Sequence, residues 1–246
     1  MSGSGTNAIR LIERERELGK EPGDSPFRVV FLFSDRSDGQ SRGEQIAREG
    51  GMPYISYDIR RFHELKGLKR TTATPEGMAA RREFDSVASR LIEAFEIDLI
   101  VLAGYMSYLT LNRCVNVHPA DLSILTPDGK RRYVGDHAVA DAIAGGETYL
   151  RSSTIWTNEG VDTGPLLMVS DPIPVELPSP LPDLLRDKPA FRNVVGKHQQ
   201  RLKEMGDWNI LPLTIEMIAR GRFSLDENGV AHVDGQPFPQ GYRTSK

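Results

Sequence analysis

Cysteine is nearly missing from this chain: Cys114 is the only one in 246 residues, which excludes an intrachain disulfide and a multi-thiolate metal cluster. Long hydrophobic runs are missing too. None approaches the about 20 residues that a bilayer span needs, and the N-terminus lacks the charged-then-apolar pattern of a secretory leader. Neither sign of charge dominates, since 31 Lys and Arg face 34 Asp and Glu for a net charge of −3. That balance supplies no global pull toward nucleic acid or an anionic membrane. The histidines outside the motifs below, His63, His137, His198 and His232, show no metal-ligand spacing to acidic partners. Repeats and low-complexity tracts are absent. These absences leave a cytoplasmic protein with small-molecule partners, no nucleic acid, no membrane and no metal as the expectation. The basic runs Lys66 to Arg70 and Lys130-Arg131-Arg132 read as solvated faces or loops.

What is present is an ordinary globular composition, 39% hydrophobic and 26% charged, enough to bury a sizeable core. Ala8 to Leu18 carries a helical apolar pattern behind a small-residue loop, Ser2 to Asn7. Phe27 to Phe33 and Asp98 to Ala103 are compact apolar runs suited to buried strands, and Tyr54 to Tyr57, Val115 to His118, Ser153 to Thr157 and Leu166 to Val169 add shorter ones. Helical segments are expected at Arg42 to Glu49, Pro75 to Phe95, His137 to Ala144, Val194 to Met205 and Pro212 to Arg220. The alternation predicts an α/β fold with a mainly parallel sheet. Prolines 172, 174, 178, 180 and 182 suit neither helix interiors nor central strands, so about 171–197 reads as a loop excursion from one domain spanning 1–246. Phe223 to Val233 reads as a hairpin around Asp226 to Gly229.

In parallel sheets ligands gather beyond the carboxyl ends of the strands, which directs attention to Asn116-Val117-His118-Pro119. Two residues apart on an extended segment, Asn116 and His118 face the same side and can act on one carbonyl. An amide NH2 and an imidazolium are suitable donors to the charge that develops when an amine attacks such a carbonyl. A carboxylate nearby can hold the imidazolium. Taken alone, N-x-H-P favours a structural histidine at a strand end over a catalytic one, and Asp162, between Gly160 and Gly164-Pro165, is a turn aspartate. The N-terminal Ser2 to Asn7 combines backbone N–H groups, hydroxyls and a helix start, which suits a phosphate.

Taken together, S-G-S-G-T-N at the start, L-A-G-Y-M at 102–106, N-V-H-P at 116–119, V-D-T-G-P at 161–165 and the closing I-L-P-L, G-R and P-Q-G-Y segments resemble phosphoribosylglycinamide formyltransferases, in the right order over nearly the whole chain. The resemblance implies a Rossmann-like formyltransferase fold and transfer of a formyl group from 10-formyltetrahydrofolate to the amine of glycinamide ribonucleotide, or a similar phosphorylated amine, in purine synthesis. Folate would be a co-substrate, with no metal, and a homodimer is allowed. Asn116 and His118 would stabilise the oxyanion, with Asp162 pairing to His118. Gly3, Ser4, Gly5, Thr6 and Asn7 would hold the phosphate and Asp207 the ribose. Met106, Ser107, Tyr108 and Leu109, with Asn158, Glu159, Gly160 and Val161, would line the folate pocket.

Several positions depart from the family pattern. Met1 falls almost on the phosphate loop, so the apolar first strand is expected to be missing. Serine 107 stands where arginine is common, and Ile155 where a histidine is frequent. Ser123 to Gly135 replaces the usual proline-containing loop, and Asp171 to Lys197 looks inserted. These departures bear on the substrate more than on the reaction class. Hydrolysis of 10-formyltetrahydrofolate by the same three residues, and a non-catalytic folate or nucleotide binder, are the alternatives.

Overall fold

The computed structural model describes residues 1–20 and 24–244, and the chain divides into a first unit, Met1–Val115, and a second, Asn116–Lys246. In the first unit Gly5 takes a left-handed φ of 65° and caps α1 (Thr6–Leu18), which buries Ala8, Leu11 and Ile12. Among the described residues no strand precedes α1. Strand β1 (Leu32–Ser34), helix α2 (Gly43–Gly50) and strand β2 (Tyr54–Ser56) form a crossover, and β1 pairs with β2 in parallel. Met1, Ala8, Ile12, Leu32, Ile46 and Ala47 fill the core they enclose.

Asp58 caps α3 (Ile59–Leu65) through the N–H groups of Arg60 and Arg61. Thr74 caps α4 (Pro75–Ala94) through Gly77 N–H, with Pro75 in the first turn, where its missing N–H costs nothing. Phe62 and Phe84 pack these helices together with Ile59 and Ala80. Strand β3 (Ile100–Leu102) begins where Ile100 N–H donates to Arg113 O, 2.9 Å away.

Strand β4 (Cys114–His118) runs on into the second unit, where it precedes α5 (Ala138–Ala144), β5 (Tyr149–Leu150), β6 (Ser153–Trp156), β7 (Leu166–Val169) and β8 (Ile173–Pro174). The strands order as β4-β6-β7, and β5 pairs with β8. Four of the five β4 residues are buried, as a central strand covered on both faces requires. Whereas β1 and β2 are parallel, β6 and β7 are antiparallel, because residues 157–165 are too few for a crossover. Helices α6 (Leu181–Arg186), α7 (Lys188–Leu202) and α8 (Trp208–Ala219) follow, and a π turn, Lys203–Asp207, joins the last two. Ala138, Val139, Ile143, Leu184, Val194 and Leu202 form the core under α5 and α7. Strands β9 (Phe223–Leu225), β10 (Ala231–Val233) and β11 (Gln236–Pro237) close the chain as an antiparallel meander, which includes the expected hairpin. Among the described residues no helix is long and apolar enough to cross a membrane.

Three segments differ from the sequence reading. Of Phe27 to Phe33 only the end is strand: Val29 N–H is taken by Glu15 Oε2 at 2.9 Å, so the early part of the run has its donor satisfied by a side chain. The proline-rich stretch is not a bare loop. Pro182 and Pro189 sit in the first turns of α6 and α7, where proline is tolerated, so helix begins well before Val194. Pro212, read as a helix start, lies inside α8, four residues after it begins.

Candidate active site

In the second unit β4 presents Asn116 and His118 two residues apart, with the His118 side chain buried. Its Nδ1 lies 3.3 Å from Asp162 Oδ2, and its Nε2 is buried without a hydrogen-bond partner. A carboxylate at Nδ1 places the proton there, which leaves Nε2 as a bare lone pair. Burial pushes the His118 imidazole below its usual range. The Asp162 carboxylate, a backbone bond to Tyr133 and the charge of Asp136 oppose that, while Arg131 reinforces it.

Asp162 occupies the connection between β6 and β7 with a φ of 52°, in the left-handed region that non-glycine residues rarely adopt. Its Oδ2 accepts Gly135 N–H at 2.8 Å. The Arg131 guanidinium donates to the carbonyl oxygens of Asp162 and Gly164, the latter at 2.6 Å. A Cβ on Gly164 would stand 1.8 Å from Trp156 O, so this turn admits no side chain there. Asn158 Oδ1 accepts from Gly160 N–H at 3.0 Å and Thr163 Oγ1 at 2.8 Å, which closes the same turn on itself. Glu159 and Val161 are exposed, Val161 at 60%. Asp207 is buried in the π turn, where Ser152 Oγ donates to its Oδ1 at 2.6 Å. Burial pushes its carboxyl up to about 6, against the pull of Ser152 and Lys203.

The first unit holds the remaining expected residues. Gly3 to Gly5 lead into α1, whose first-turn N–H groups have no intrahelical acceptor. A Cβ on Gly5 would meet Met1 Cε at 2.4 Å, and Asn7 Oδ1 is buried without a partner. Asp35, buried, ties two segments together: Ser2 Oγ donates to its Oδ1 and Ser107 Oγ to its Oδ2, each at 2.6 Å. Met106 N–H donates to Ser2 Oγ at 3.2 Å, while the Met106 side chain is 72% exposed. Met106, Ser107 and Tyr108 line a cavity of about 290 Å³ with Ile59, His63, Arg70, Thr71, Thr72 and Arg81. Leu109 is half-buried beside them in sequence. Arg81 is paired with Asp85 and Tyr105, yet its Nη1 is buried without a partner.

Sequence reasoning missed Arg131, Asp35 and Arg81. Lys130-Arg131-Arg132 read as one solvated run, which holds for Lys130 at 81% exposure but not for Arg131. Leu125 and Arg131 form an antiparallel bridge, and extended backbone turns Arg131 to the face opposite its two neighbours. A basic triplet carries no sign of that alternation. Asp35 and Arg81 make their contacts only once distant segments meet, and no local pattern marks them.

The sequence model of the formyl transferase family matches residues 1–176. A phosphoribosylglycinamide formyltransferase of Haemophilus influenzae is 25% identical over 98% of this chain and 94% of its own length. One from Mycobacterium tuberculosis is 31% identical over 62% of this chain and 61% of its own. The solved phosphoribosylglycinamide formyltransferase of Coxiella burnetii superposes with a TM-score of 0.65 at 24% identity, covering 99% of this chain and 95% of that one. The shared architecture is the Rossmann-like α/β formyltransferase fold.

Proposed function

Because the chain belongs to the formyl transferase family, we propose that it acts in the cytoplasm to move the formyl group of 10-formyltetrahydrofolate onto the amine of glycinamide ribonucleotide. One observation carries this reading. The His118 imidazole is anchored at Nδ1 by Asp162 and left unpartnered at a buried Nε2. A structural histidine in a core has both nitrogens satisfied, as His198 does: its Nε2 accepts Glu176 N–H at 3.0 Å and its Nδ1 meets Val194 O at 2.9 Å.

Bound 10-formyltetrahydrofolate supplies the electrophilic formyl carbon. The chain's own residues manage the proton and the charge. Kept neutral by burial, His118 takes at Nε2 the proton that the attacking amine gives up, and Asp162 stabilises the imidazolium so formed. Nε2–H and the Asn116 amide donate to the formyl oxygen as it becomes negative, and when the adduct collapses the C–N10 bond breaks and His118 Nε2 returns its proton to N10 of the departing tetrahydrofolate, which restores the neutral ring. For the co-substrate, the first-unit cavity offers an aromatic wall in Tyr108 and a buried, unpartnered guanidinium nitrogen on Arg81, which fits an aromatic acid. Gly3 to Asn7 are proposed for the phosphate. Asp207 Oδ2 is proposed for a ribose hydroxyl, since Oδ1 is taken by Ser152.

Product analysis tests the proposal. Purified protein incubated with 10-formyltetrahydrofolate should yield formylglycinamide ribonucleotide by mass spectrometry only when glycinamide ribonucleotide is added. Equal folate turnover with and without the amine would instead identify a hydrolase.

A further inference from the structure

We infer that Arg131 is a positioning residue for the reaction: it clamps the β6–β7 turn by its two carbonyl oxygens and thereby holds the Asp162 carboxylate in register with His118. This inference rests on the proposed role of the His118–Asp162 pair.

The guanidinium is half-buried, and its fork donates to Asp162 O and Gly164 O, two carbonyls one residue apart. A planar pair of N–H donors suits two such oxygens, which a single ammonium cannot reach in the same geometry. The arm that carries it is itself braced. Thr126 N–H donates to Lys130 O at 2.7 Å and Arg132 N–H to Ile124 O at 3.0 Å, so residues 124–132 form a closed hairpin. Four residues beyond Arg131 the same segment supplies Gly135 N–H to Asp162 Oδ2. One stretch of chain therefore grips both the main chain and the side chain of Asp162. Such an external hold suits a residue in the left-handed region, which does not keep that conformation unaided. The grip also sets a cation near His118 that disfavours the imidazolium, consistent with the neutral resting ring.

The test compares Arg131→Met and Arg131→Lys with Lys130→Met, a neighbour that pairs outward with Asp128. For Arg131→Met the expected result is a kcat lowered by about 10- to 100-fold, with KM for both substrates within about twofold. In 15N-histidine-labelled protein, the His118 Nδ1–H resonance should be lost or displaced. Arg131→Lys should recover part of kcat through one carbonyl, and Lys130→Met should match the parent in both readouts. Wild-type kcat together with an unmoved His118 resonance in Arg131→Met overturns the inference. Should that variant fail to fold, Arg131→Lys decides: a reduced kcat in folded protein supports the clamp, and an undiminished kcat overturns it. The resonance is read without turnover, so the clamp is judged separately if His118 itself proves dispensable for transfer.

Discussion

Replacing Asp207 by asparagine should make the protein more stable at neutral pH. Burial raises this carboxyl from 3.8 to about 6, which means that the folded state binds its proton more tightly than the unfolded state does. Well below pH 3.8 both states are protonated and the charge costs nothing. As pH climbs from 4 to 6 the unfolded chain ionises first, so stability falls across that window, and above it the whole penalty applies. A rise from 3.8 to about 6 corresponds to about 3 kcal/mol. Asparagine keeps an oxygen to accept from Ser152 Oγ, now 2.6 Å from Oδ1, and removes the charge. Urea unfolding followed by tryptophan fluorescence should show Asp207→Asn ahead by up to about 3 kcal/mol at pH 7.5 and by only about 0.5 kcal/mol at pH 4. No gain at pH 7.5, or the same gain at both pH values, would refute the reasoning. A carboxylate kept at such cost fits a functional duty, and the same variant should show a raised KM for the ribonucleotide.

Two further substitutions probe other charges. Asp162→Asn removes the carboxylate that favours the His118 imidazolium, so the acid limb of the kcat/KM pH profile should move to lower pH while kcat falls about 100-fold. A limb that stays in place or moves upward contradicts the pairing. Asp85→Ala strips the buried Arg81 of its carboxylate, which also accepts from Thr110 N–H at 2.8 Å and Thr110 Oγ1 at 2.7 Å. An uncompensated buried guanidinium should cost about 3–5 kcal/mol in thermal unfolding, and a loss under about 1 kcal/mol would mean that solvent reaches it.

Local signals made much of the fold legible. Leu166 to Val169 was readable to the residue as a strand, and Pro75 to Phe95 as a helix from its apolar spacing, one residue past the observed end at Ala94. Phe27 to Phe33 was misleading because composition reports an extended apolar run, whereas a strand is made by main-chain pairing with a neighbour, and Glu15 takes the N–H of Val29. The prolines near 180 were read as breakers because their placement in first turns depends on where each helix starts. At the candidate site the strand motif and the turn motif were each visible. What brings His118 Nδ1 to 3.3 Å from Asp162 is the antiparallel return of β7 and the grip of Arg131, and both are tertiary facts.

The most direct measurement of the central claim is folate-dependent formyl transfer by His118→Ala, with folding verified by circular dichroism. Loss of the proposed general base and oxyanion donor predicts a kcat lower by about 100-fold or more, with both substrates still bound. Formyl transfer at the parent rate by the folded variant would contradict the account.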